Sequence, residues 1–119
     1  MSARNEEIDR LLPLKPVDFS ILITLAEGEQ YGYSLAKRLA EQRSGAIRLP
    51  PSNLYHVLDR LIAAGLIRAT RSDDAADERR QYFALTPFGR RVAAAEARRL
   101  RYVMETADRL NLLPLKEPG

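Results

Sequence analysis

The chain has no cysteine among its 119 residues. Disulfides and thiolate chemistry are thereby excluded, and a cytoplasmic location is expected. Histidine is nearly as scarce: His56 is the only one, and a metal site built on it would need companion ligands that are missing. No metal and no cofactor are expected. No apolar run approaches the roughly 18 residues of a membrane span. The opening segment Met1 to Arg10 is polar and acidic, so it is not expected to act as a secretory signal. Glycine-rich phosphate loops, a histidine pair and a serine set between nucleophile-elbow glycines are absent as well. Catalysis has no foothold in this sequence, and the protein is not expected to be an enzyme.

What is there is a single globular domain's worth of material, with 45% hydrophobic and 29% charged residues. A domain of this size buries a modest core, so a surplus apolar helix face is expected to be covered by a partner. The net charge of +3 says little alone. Its distribution says more: residues 1–50 balance seven bases against seven acids, whereas residues 87–110 carry six arginines against three acids.

The richest stretch runs from Leu49 to Thr86. Pro50-Pro51-Ser52 reads as a helix entrance, because a proline in the first turn loses no hydrogen bond. Leu54, Val57, Leu58, Leu61 and Ile62 then follow the spacing of an amphipathic helix, ended by Gly65. Residues 66–70 and 81–85 are strand-like, separated by the polar turn from Ser72 to Glu78. Thr86-Pro87 opens another helix. Helix, strand, turn, strand, helix in this order is the pattern of a winged helix-turn-helix, mainly α with a small β-hairpin.

Upstream, residues 5–12 form a short helix stopped by Pro13. A nearly all-apolar helix follows Lys15-Pro16, with Asp18 as its N-cap or a first-turn acid, Phe19, Leu22, Ile23 and Ala26 on one face, and Gly28 as its stop. Tyr31-Gly32-Tyr33 opens the next helix, which Ser44-Gly45 ends; residues 46–49 have the makings of a small strand. Downstream, a helix is expected over 87–113, followed by a tail at 114–119. Leu100, Val103, Ala107 and Leu110 are spaced three, four and three, the seam of a helix that packs on another helix. Residues 1–86 are thus the expected winged unit, and 87–113 a long dimerisation helix.

These motifs resemble the PadR-like transcriptional regulators. The resemblance rests on Tyr31-Gly32-Tyr33, Ser52-Asn53-Leu54-Tyr55 with Leu58 and Leu61, Gly65-Leu66-Ile67, Arg79-Arg80-Gln81-Tyr82, and Leu85-Thr86-Pro87 with Gly89. The single C-terminal helix is similar to that of the smaller subgroup of the family. The resemblance implies a homodimer on a pseudo-palindromic operator in double-stranded DNA, repression of transcription, and in some cases release by a small molecule.

The residues chosen as DNA-binding are Ser34, Lys37, Ser52, Asn53, Tyr55, His56, Arg60, Arg79 and Arg80. Six of the nine have a plainer role beside that one. Ser52 and Asn53 also suit a helix cap, Tyr55 a half-buried packing position, and His56 an ordinary exposed site. Arg60 suits a pair with Asp59 or a neighbouring backbone, Lys37 a solvated helix surface. Four carboxylates, Asp73, Asp74, Asp77 and Glu78, crowd the wing tip and would repel phosphate, so any wing contact is expected from Arg79 or Arg80 at the stem. The dimer interface is placed at Leu100, Val103, Met104, Ala107 and Leu110; the region of Tyr102, Val103 and Met104 reads first as plain dimer core, with a small-molecule effector pocket at the interface as the alternative. A winged helix used only as a protein-interaction module is the rival reading, favoured by the acidic tip and the small net charge.

Overall fold

The computed structural model describes residues 3–41, 51–71 and 81–114. In chain order they form α1 (Ala3–Leu11), α2 (Pro16–Ala26), β1 (Gln30–Tyr31), α3 (Gly32–Glu41), α4 (Pro51–Ala63), β2 (Ile67–Arg71), β3 (Gln81–Leu85) and α5 (Pro87–Arg109). The expected ends near Ser44-Gly45, the strand at 46–49, the wing tip from Ser72 to Glu78 and the tail beyond 114 lie outside the described residues.

At the centre is α2, with Ile21, Leu22 and Leu25 almost fully buried. It starts with Pro16 in the first turn, while extended Lys15 stands at the N-cap and makes no side-chain cap. Asp18 is therefore the first-turn acid, not the cap. The expected buried face is also displaced, since Ile23 is 45% exposed and Ala26 is exposed. A helix apolar on every side has no polar stripe to orient it, so its neighbours decide which face goes in.

Leu54, Leu58 and Leu61 of α4 pack into the same core, with Val57 and Ile62 against its edge. Each of these leucines contributes about 2 kcal/mol by its removal from water. The helix ends as its glycine requires: Gly65 has φ +79, its N–H donates to the Ile62 carbonyl at 2.9 Å, and that of Leu66 donates to Leu61 at 3.0 Å.

The sheet has three antiparallel strands in the order β1-β3-β2, with Ile67 opposite Leu85 and Arg71 opposite Gln81. The hairpin is thus joined by β1, a strand not expected from the sequence, which sets Gln30 against Phe83 and Tyr31 against Tyr82. Phe83 of β3 and Ile67 of β2, each 2% exposed, are the sheet's contribution to the core.

Thr86 joins the sheet to α5. Its side-chain oxygen accepts from the Gly89 N–H at 2.9 Å and sits 2.6 Å from the Gly65 carbonyl, the acceptor for its own hydroxyl. Along α5, Gly89, Val92 and Glu96 are buried. The helix stops at Arg109, short of the expected 113. Asn111 takes a left-handed conformation at φ 60, its N–H donating to Asp108 at 3.0 Å and that of Leu112 to Ala107 at 2.9 Å. That is the closure a glycine usually provides, here made by an asparagine, the side chain that best tolerates it after glycine.

Candidate nucleic-acid interface

One face of α4 is spent on the core; the other is open. Asn53 and His56 stand exposed on it, and Tyr55 is 48% exposed at the border between the faces. Two contacts define Tyr55. Its ring meets Phe83 edge-on at 6.4 Å, and its phenol oxygen lies over the Cα of Gly32. A Cβ at position 32 would approach that oxygen to 2.3 Å, so a glycine at the start of α3 is what lets the tyrosine of α4 lie down there. The packing role for Tyr55 is therefore present, with about half the side chain left facing water.

Gly32, Tyr33, Ala36 and Lys37 of α3 and Leu54 and Tyr55 of α4 line one cleft of about 430 Å³. It brings Lys37 and Tyr55, far apart in sequence, to one opening whose lining is mostly apolar, and Lys37 is exposed. Tyr33 is 70% exposed and stacks on Tyr31, with ring centroids 6.3 Å apart; Tyr31 meets Tyr82 at 5.8 Å. A tyrosine row thus runs from the start of α3 to β3. Ser34, at the first turn of α3, donates its hydroxyl to Gln30 Oε1 at 2.6 Å, which ties the helix start to β1.

Arg60 behaves differently from its neighbours on α4. Its guanidinium makes a two-pronged pair with Asp18 of α2, at 2.7 and 2.8 Å. The Asp18 side chain is only 6% exposed, whereas that of Arg60 is 46% exposed. The hydrogen bond to Asp18, aided by its charge, holds the Arg60 guanidinium above its ordinary pKa. The partner is neither Asp59 nor a backbone group, the alternatives that the sequence raised. Arg60 pins α4 to the body, and the fork geometry fixes orientation as well as distance. No local pattern in the sequence connects positions 42 apart, so nothing there marks Asp18 as a site residue.

Arg79, Arg80 and the Ser52 side chain lie outside the described residues. On α5, the proposed interface splits: Leu100 and Ala107 are partly covered, while Val103, Met104 and Leu110 are 44%, 48% and 63% exposed. Among the described residues no group of three His, Cys, Asp or Glu is placed to hold a metal ion, and no helix is long and apolar enough to cross a membrane.

The model of the transcriptional regulator PadR-like family matches residues 21–95. A PadR family transcription regulator from Clostridium difficile R20291 is similar in structure, with TM-score 0.70 and 24% identity over 81% of this chain and 98% of that one. A PadR-like regulator from Bacillus cereus gives TM-score 0.68 and 22% identity over 82% and 93%. The transcriptional regulator BldR from Sulfolobus solfataricus gives TM-score 0.68 and 27% identity over 96% and 73%. No curated protein matches in sequence.

Proposed function

We propose a function from the premise that this chain belongs to the PadR-like family of transcriptional regulators: it represses transcription as a homodimer on a two-fold-related operator. The observation that carries the reading is the open face of α4, where Asn53 and His56 stand side by side in solvent while the opposite face is locked in the core. A helix held in this way presents its N-terminal side chains to the major groove, where an amide pairs with adenine and an imidazole donates to a guanine or phosphate oxygen. Lys37 on α3 faces the sugar-phosphate backbone beside it, together with Ser52 at the α4 entrance and with Ser34 once its hydroxyl turns from Gln30, and these supply affinity without sequence information. Tyr55 supports the same contact from the α3–α4 cleft. Arg60 leaves the set of DNA contacts and joins the scaffold, since its fork is engaged by Asp18. Arg79 and Arg80, which precede β3, add phosphate contacts from the wing stem.

Exposed Val103, Met104 and Leu110 support the homodimer. In this reading a second copy covers them, and an apolar effector, where one exists, enters between the two α5 helices. The protein works in the cytoplasm. The test compares the cognate duplex with random DNA at one salt concentration. Asn53→Ala and His56→Ala should each weaken cognate binding by about 1–3 kcal/mol and random binding far less. Arg79→Ala with Arg80→Ala should weaken both alike and flatten the salt slope by about one to two units. An unchanged cognate-to-random ratio in the α4 variants would place specificity elsewhere.

A further inference from the structure

The side chain of Glu96 is 3% exposed, midway along a helix whose outer half stands in water. Its carboxylate is fully used. Arg99 donates from Nε at 2.6 Å and from Nη2 at 2.9 Å, and the backbone N–H of Leu14, between α1 and α2, donates at 3.2 Å. The Arg99 pair is local; the Leu14 bond ties together residues 82 apart. The start of α5 is held separately, where Gly89 lies so close to Leu66 that a Cβ would fall 1.9 Å from its carbonyl oxygen. Val92, also buried, packs on the core between Gly89 and Glu96. Gly89 is the pivot, Glu96 is the last buried residue of the helix about 10 Å along, and Ala107 lies about 27 Å from the pivot at 1.5 Å per residue. Beyond Leu100 the helix runs exposed through residues 101–105.

We infer that Glu96 is a positioning residue for operator geometry: by aiming α5, it sets the separation of the two α4 helices and so the half-site spacing the dimer accepts. The inference rests on the homodimer reading above. A 1 Å shift at Glu96 becomes about 2.5 Å at Ala107 by that lever, against about 3.4 Å per base pair along a DNA strand. A two-fold axis applies the shift to both subunits. Two recognition helices must sit about 34–36 Å apart to enter successive major grooves, so an error of this size is felt as a misplaced half-site.

The test uses the full chain and duplexes selected by the wild type from a randomised 30-base-pair library, rebuilt with the two halves moved by one and two base pairs either way. Wild type should lose about tenfold in affinity per base pair of displacement, the scale of a mismatched pair. Glu96→Gln and Arg99→Ala should each flatten that profile to about threefold while remaining folded by melting and dimeric by light scattering. Glu7→Gln, an exposed acid on α1, should keep the wild-type profile. Variants with a profile as sharp as wild type and centred on the same spacing overturn the inference, and so does a uniform loss at every spacing, which is what a merely structural role would give. A wild-type selection without paired halves overturns the dimeric reading itself, and the inference with it.

Discussion

The two halves of α5 carry similar chemistry and meet opposite fates. The inner half buries Gly89, Val92 and Glu96 against its own chain. The outer half, with Tyr102 68% exposed beside Val103, Met104 and Leu110, leaves its apolar side chains in water. Amphipathic spacing therefore announces that a face is to be covered, and not by what. The seam Leu100, Val103, Ala107, Leu110 reads the same way whether the cover is the chain itself or a second copy.

The comparison breaks hardest at the outer half. Val103→Asp with Leu110→Asp should leave the melting temperature of the isolated body nearly unchanged but weaken association at least a hundredfold, because two unpaired charges would be buried in the interface. Light scattering across a concentration series reads this, and a dimer that persists in the double variant would show that α5 is not its main contact. The inner half should fail in the opposite manner. Gly89→Ala drives a methyl into the Leu66 carbonyl, backbone that cannot step aside, and should cost about 3 kcal/mol of stability, seen as a clear drop in Tm.

A smaller loss is expected at the pin between α2 and α4. Arg60→Ala strands the buried Asp18 carboxylate, at a cost of about 2 kcal/mol once solvent screening of the half-exposed arginine is allowed for. Chemical denaturation measures it, and a loss of DNA affinity with no loss of stability would return Arg60 to the DNA contacts. The smallest effect is a slope. Arg99's hydrogen bonds, its charge and the Leu14 N–H hold the Glu96 carboxyl below its ordinary 4.5. A carboxyl depressed in the folded state stabilises at neutral pH, and that contribution is lost as pH falls below 4.5 and through the folded pKa. The stability gap between wild type and Glu96→Gln should hold from neutral pH to about 5 and narrow below it. A gap constant down to acid denaturation would mean that the carboxylate is not the group at work.

What was legible in the sequence was whatever repeats locally. The faces of α4, its glycine stop, the hairpin strands and the Thr86-Pro87 entrance all follow from neighbours within a few positions. The two residues of β1 are too short to show alternation; they are a strand only because β3 offers hydrogen bonds some fifty positions later. Arg60 and Asp18 are chosen for each other across the fold, so Arg60 reads in isolation as one more surface cation. Glu96 did leave a trace. It lies four residues after Val92 and four before Leu100, a charge on an otherwise apolar seam, and such a charge demands partners when it is buried. The end of α5 rests on Asn111, whose tolerance of left-handed backbone is a weaker stop than the proline three residues on.

The phenol of Tyr55 resting on Gly32 has a consequence for anyone wishing to change what this protein reads. Asn53 and His56 are expected to tolerate single changes, since both stand exposed. Position 55 is tied to position 32. A smaller residue at 55 opens space over the glycine and frees the first turn of α3 to shift, and any side chain at 32 evicts the tyrosine into the space the DNA would occupy. In the proposed reading, then, reading and scaffold roles are separable at two positions of α4 and fused at a third. A library that randomises 53 and 56 would, in that reading, explore specificity, whereas one that includes 55 must carry 32 with it, because the Tyr55 phenol rests on Gly32.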